Sequence, residues 1–247
     1  MLATAYYTTF GAHYFLAIRQ NFVIMNLTSL RSIKSSAKKR IKKFMRALKG
    51  DYFSNAGAVT EMDLQLLRDA IDQVKPTVFI EIGTGTGASS RGIFQYILRQ
   101  MPTCDFYTMD IFNNYLDDIN KIFGTHPNFH TVLGLSVLRD ETTDPAYTEL
   151  SNYQGPTNSL RKLLDVELKG RMVDIAFIDS RKGTAVPEFH VLAERLSPNG
   201  IIFCHDILNG GKGVELATYL REDEGPFSFE IINTGPAGMI RIQRRGS

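Results

Sequence analysis

Two cysteines in 247 residues, no long apolar run and almost no net charge set the first limits on this chain. Cys104 and Cys204 stand singly inside apolar, strand-like stretches, and no C-x-x-C pair occurs. That excludes a zinc or dithiol redox motif and implies buried free thiols in a reducing cytoplasm. The apolar stretches Tyr14 to Ile18 and Phe22 to Leu27 are broken by Arg19, Gln20 and Asn21, too short and too interrupted to span a bilayer. They also lack the basic leader and small-residue cleavage site of a secretory signal, so a cytoplasmic location is expected. A net charge of +2 is too small to call for a polyanionic partner by itself. Gly210-Gly-Lys-Gly213 has no hydroxyl after its lysine, so it is not a phosphate loop; it reads as a flexible hinge.

What is present is ordinary globular material, 43% apolar and 22% charged. The length suits one domain with an extension, and we divide the chain at 1–50 and 51–247. Met25 is a candidate start, which makes 1–24 a poorly ordered or non-native extension. Residues 31–49 carry nine Lys or Arg and no acid, with Ile33, Ala37, Ile41, Phe44 and Leu48 at helical spacing. This basic amphipathic helix has three uses open to it: packing on the domain or in a homodimer, lying on an anionic membrane surface, or contacting nucleic acid. Of these, packing is favoured and nucleic acid is the least expected.

The stretch that organises the rest is Val78 to Arg91. Val78 to Ile82 is an apolar run that reads as a strand buried on both faces. Gly83, Gly85 and Gly87 follow at every second position, and Ala88 to Gln100 reads as a helix with Ile93, Phe94 and Ile97 on one side. Strand, glycine turn and helix bring free N–H groups and open backbone to a nucleotide-like ligand. The spacing Gly83-x-Gly85-x-x-Ala88 fits the dinucleotide fingerprint as well. Ahead of it, Thr60-Glu-Met-Asp63 opens a helix with Asp63 in the reciprocal capping position. Behind it, a second strand ends at Asp110, placed to accept hydrogen bonds from ribose hydroxyls. A third, Phe129 to Leu133, leads to Ser136 at the ligand-binding rim, near an adenine. Residues 139–159 are the candidate acceptor-binding loop; Asp144-Pro-Ala-Tyr147 within it reads as a turn.

Val173 to Ile178 forms a fourth strand ending in Asp179-Ser-Arg-Lys182. A helix over Ala185 to Leu196 is predicted to stop at Ser197-Pro-Asn-Gly200. Ile201 to Cys204 is the fifth strand, ending in His205-Asp206. Two successive parallel strands thus carry acids to one rim, facing a shared pocket; the alternative use of Asp179 and Asp206 is as ion-pair partners of Arg181, Lys182 or Lys212. Phe227 to Ile232 and Gly238 to Ile242 flank a short turn and read as an antiparallel pair. The fold class is α/β: a Rossmann-like, doubly wound sheet of seven strands, mostly parallel, with a terminal antiparallel hairpin.

The pattern apolar-Glu81-x-Gly-x-Gly-x-Gly resembles the first motif of class I S-adenosylmethionine-dependent methyltransferases. The resemblance implies that Glu81, Gly83, Gly85, Gly87, Asp110 and Ser136 hold S-adenosyl-L-methionine. Phe177-Ile-Asp179-Ser-Arg-Lys182 and Ser197 to Asp206 are similar to small-molecule O-methyltransferases of the catechol and caffeoyl-CoA type, and to macrocin-type natural-product enzymes. That likeness implies methyl transfer to a hydroxyl of a small-molecule acceptor. It also implies Asp179 and Asp206 as ligands of Mg2+, with Lys182 as general base. Ile207 stands where those families often place an Asn ligand, so direct base catalysis by His205 is a second route. Two other classes stay open: an NAD-dependent oxidoreductase, and an RNA-binding methyltransferase docked through 31–49.

Overall fold

The computed structural model describes residues 58–142, 153–209, 211–223 and 225–246. Residues 1–24, the expected basic helix over 31–49, the expected turn at 144–147 and Gly210 lie outside them, as does the proposed division at residue 50.

Period-two alternation sorts each strand to two faces of one sheet. The strands are β1 (Val78–Ile82), β2 (Asp105–Asp110), β3 (Phe129–Leu133), β4 (Val173–Ile178), β5 (Leu196–His205), β6 (Phe227–Ile232) and β7 (Met239–Arg244). Their order across the sheet is β3-β2-β1-β4-β5-β7-β6, parallel from β3 to β5 and antiparallel in β5-β7-β6. The expected seven-stranded, mostly parallel sheet with a terminal hairpin is therefore present.

The helices are α1 (Glu61–Val74), α2 (Ala88–Gln100), α3 (Asn113–Phe123), α4 (Ser159–Lys162, running into a wider turn at Leu163–Glu167), α5 (Ala185–Ala193) and α6 (Lys212–Glu222). One face of the sheet presents Phe79, Phe106, Phe177 and Phe203 to Leu67 and Ile71 of α1, Ile93, Phe94 and Ile97 of α2, and Phe123 of α3. Phe94 meets Phe129 at 4.8 Å between ring centroids. The opposite face sets Val78, Ile80, Ile82, Ile178 and Ile202 against Leu160, Phe189, Leu192 and Leu216. Each fully buried side chain of this size contributes about 1.5–3 kcal/mol.

The sequence expectations need two corrections. Ser197-Pro-Asn-Gly200 does not end a helix: α5 stops at Ala193, and those four residues lie within β5. From Val173↔Leu196 to Ile175↔Ile201, two steps along β4 are matched by five along β5. The extra residues bulge, which gives Pro198 a position needing no ladder N–H. The second correction concerns Gly211 to Gly213. Gly211 is the N-cap of α6, and Lys212 and Gly213 form its first, buried turn. A Cβ on Gly213 would lie 2.9 Å from the His205 carbonyl oxygen and 3.0 Å from Ile207 Cα, so this glycine seats the helix against β5 and is not a hinge.

Candidate functional site

The chain runs outward in both directions from the β1–β4 pair, making this the topological switch point where open α/β sheets bind ligands. The glycine turn follows β1 here. Gly83, Gly85 and Gly87 have φ of +102°, +51° and +74°. A Cβ on Gly83 would fall 2.2 Å from the Asp179 carbonyl oxygen, so the turn lies hard against the end of β4. A Cβ on Gly85 would meet nothing within 4 Å, and the turn faces open space there. Gly87 has φ in the same region at the N-cap of α2.

Glu81 shares a sheet face with Phe79 and is wholly buried. Its carboxylate accepts from Ser89 (2.6 Å) and Ser90 at the start of α2, and from Thr108, its register partner on β2 (2.7 Å). Burial pushes its pKa up to about 7, against the pull of those three hydroxyls. Glu81 thus ties strand, neighbouring strand and helix together behind the turn. Asp110, at the end of β2, accepts from the Gly85 N–H at 2.9 Å and from the Phe112 N–H at 2.9 Å, one on each oxygen. Each oxygen keeps a further lone pair for a ligand donor.

A second cluster occupies the ends of β4 and β5. On β5, Ile201, Phe203 and His205 alternate onto the α1 face, which carries the His205 ring to Asp63. Its Nε2 is 3.4 Å from Asp63; its Nδ1 is 3.3 Å from Asp179 and 3.5 Å from Asp206. The ring is fully buried, and neither nitrogen makes an aligned hydrogen bond. Burial alone would lower its pKa; the Asp179 and Asp63 carboxylates outweigh that and raise it to about 9. Asp63 is itself fixed by a reciprocal capping box with Thr60, as the sequence suggested, and by the Thr234 hydroxyl. Asp206 adopts φ +65°, a conformation non-glycine residues hold only where their surroundings impose it.

Lys212 completes this cluster. Its side chain enters from the first turn of α6, where a cation is unfavourable for the helix dipole. Two acids compensate: Nζ lies 2.9 Å from Asp179 and 2.5 Å from Asp206. The residue is only 5% exposed. Burial works against its charge, yet the two acids hold its pKa well above the ordinary lysine range, and Lys212 in turn draws Asp206 below the usual carboxylate range.

The remaining expected residues separate. Ser136, after β3, is buried and donates to Glu188 of α5. Glu188 is wholly buried and also accepts from Ser180 at 2.6 Å; burial lifts its pKa to about 7. Lys182 lies exposed on the loop after β4. Within 139–159, Arg139–Glu141 form one tight turn, and Arg139 donates to the Tyr153 carbonyl across the stretch 143–152, which lies outside the described residues.

Sequence reasoning missed Asp63 as a partner of His205, and it missed Glu188. One signal was available: Glu188 falls in the stripe Ala185, Glu188, Phe189, Leu192, an acid on an apolar face. Of the three cations weighed as ion-pair partners of Asp179 and Asp206, it is Lys212 that lies between them.

Asp179, His205 and Asp206 each offer one ligand atom within 4.8 Å of the others, the geometry of a metal site. The residues present do not fit a divalent cation. The space between the two carboxylates holds the Lys212 ammonium, which occupies the position an ion would need. A dication about 3 Å from that ammonium would be repelled by on the order of 10 kcal/mol at an effective dielectric of about 20.

Residues 80–207 match the model of a family described as a methyltransferase domain. No curated protein sequence matches the chain. Among solved structures, the SAH-bound methyltransferase PaMTH1 of Podospora anserina aligns at 14% identity and TM-score 0.54, over 91% of this chain and 98% of that one. The O-methyltransferase from Bacillus cereus in complex with SAH aligns at 14% and 0.55, over 92% and 94%. TomG from Streptomyces achromogenes, an O-methyltransferase involved in tomaymycin synthesis and solved with SAM, aligns at 13% and 0.53, over 94% and 95%. These likenesses are of fold. Among the described residues no helix is long and apolar enough to cross a membrane.

Proposed function

The chain belongs to the methyltransferase-domain family, whose model spans more than half of it, and is a class I S-adenosylmethionine-dependent methyltransferase; from that premise we propose that its acceptor is a hydroxyl group of a small molecule. The observation that carries this proposal is the adjacency of two features at one rim. The open glycine turn touches the end of β4 through Gly83, and the polar cluster of Asp179, His205, Asp206 and Lys212 begins there.

S-adenosylmethionine supplies an electrophilic sulfonium methyl group, and the protein's part is to align a nucleophile with it and remove a proton. In this proposal Gly83, Gly85 and Gly87 give the donor room at the rim. Asp110 shapes the turn through the Gly85 N–H while offering its free lone pairs to ribose hydroxyls. Glu81 and Ser136 act from behind: Glu81 fixes the start of α2, and Ser136 joins the loop after β3 to α5. Asp179 and Asp206, each with a partly accessible side chain, present carboxylates to the acceptor hydroxyl. His205 is enclosed, with Nδ1 3.3 Å from Asp179, so it backs that acid and does not take the proton. That leaves Lys182, on the exposed loop three residues after Asp179, as the proposed base.

The test is a turnover screen of the purified chain with S-adenosylmethionine and phenolic, catecholic and sugar hydroxyl acceptors, reading S-adenosylhomocysteine release. Turnover with at least one hydroxyl acceptor, abolished by Lys182→Ala, is expected. Turnover only with amines, thiols or RNA would overturn the assignment. The RNA alternative belongs to residues 31–49 and would show as binding that weakens steeply with salt.

A further inference from the structure

We propose that the Lys212 ammonium takes the place of a divalent cation, so that this chain works without a metal. This rests on the methyltransferase assignment but is tested separately from it.

Four observations converge. The two acids at the ends of β4 and β5 both point at Nζ, at 2.9 and 2.5 Å, and share it between them. The lysine is enclosed, with its ammonium held between the acids and away from solvent. Its backbone is fixed as well: Gly213 sits so close to the β5 end that a methyl group there would strike the His205 carbonyl and Ile207 Cα. Gly211 closes the other side, where a Cβ would lie 2.6 Å from Asp206 Cβ. Finally, Ile207, next to Asp206, is apolar and buried and offers an ion no side-chain oxygen.

An ammonium reproduces part of what a dication supplies. It holds two carboxylates at one spacing and keeps them ionised, with one charge in place of two. It does not offer open coordination positions, so an acceptor would be oriented by the acids and not by bidentate chelation. Two neighbouring hydroxyls are then no requirement for an acceptor. Lys212 is a positioning residue: it acts through Asp179 and Asp206.

The experiment adds Mn2+ alone to the purified full chain and follows the free-ion signal by electron paramagnetic resonance, so no methyl transfer is read. Wild type is expected to leave the free signal intact at about 10 µM, well below the roughly 0.1–1 mM range of weak carboxylate sites. Lys212→Ala empties the space between the acids and is expected to bind Mn2+ at least about tenfold more tightly. Lys212→Arg keeps a cation and should show no gain. Adding Asp206→Asn to the alanine variant should remove the gain, which assigns it to this site. Tight binding by wild type, or no gain in a Lys212→Ala protein that still melts cooperatively, would overturn the proposal. S-adenosylhomocysteine calorimetry on the same samples tests the methyltransferase assignment independently.

Discussion

Replacing Gly83 by alanine isolates what the approach of the glycine turn to β4 is worth. The new Cβ would lie 2.2 Å from the Asp179 carbonyl oxygen, 2.6 Å from its carbon and 3.0 Å from the Ser180 nitrogen. All three are backbone atoms, so no side chain can rotate aside. The Asp179 N–H is also committed, donating to the Ile82 carbonyl at 2.8 Å, so the two strand ends would have to part. Overpacking of this kind costs about 1–3 kcal/mol. Alanine at φ +102° adds about 1–3 kcal/mol of backbone strain. The sum, about 2–6 kcal/mol, is a large part of the roughly 5–15 kcal/mol that holds a domain folded. Gly85→Ala is the control: φ is +51° but no atom lies within 4 Å, so only the strain of about 1–3 kcal/mol applies. Urea unfolding should place Gly83→Ala well below Gly85→Ala, while calorimetry with S-adenosylhomocysteine should find Gly85→Ala weakened at the open side of the turn. Equal stability of the two variants would refute the steric argument.

Asp110→Ala should weaken S-adenosylhomocysteine binding by about 1–3 kcal/mol, the scale of charge-assisted hydrogen bonds, read by calorimetry; unchanged affinity would exclude the ribose role. His205 has its folded pKa raised to about 9 from an ordinary 6.5, so its contribution is complete below pH 6.5 and lost as pH rises through 9. Urea unfolding between pH 6.5 and 9 should show that decline, flattened in His205→Gln. Glu188, raised from 4.5 to about 7, likewise stabilises below pH 4.5 and loses that contribution through pH 7. Glu188→Gln, which stays neutral while keeping an acceptor for Ser136 and Ser180, should be less sensitive over that range.

Most of the sheet was legible because its strands are short apolar or alternating runs bounded by turn residues, and β1, β3, β4 and β6 carry the bounds read from sequence; β5 was not, because its first half is Ser197-Pro-Asn-Gly200. The glycine turn was legible because its conformations, all at positive φ, favour one residue type. The polar cluster was half legible. Asp179, His205 and Asp206 lie at strand ends, where parallel topology gathers them. Asp63 and Lys212 arrive from helices far apart in sequence, and no local pattern states that α1 and α6 aim side chains at the same point. Asp63 was correctly read as a cap; its second partner lies 142 residues further along the chain. Lys212 was legible only as one of three candidate partners for the two acids, because it stands among glycines whose use is close packing, which in a sequence looks the same as looseness.

The order of strands has a consequence for how the chain is made. β6 is synthesised before β7, yet among the described residues it pairs with β7 alone, and β7 also covers the far side of β5. Until residues 239–244 leave the ribosome, β5 presents a bare edge bearing Ile201 to Cys204, and β6 has no ladder to join. Such an edge is a template for other chains. The nascent protein is therefore most exposed to wrong pairing between the emergence of β5 and that of β7, and a proteolytic cut between β6 and β7 would leave that edge open for good.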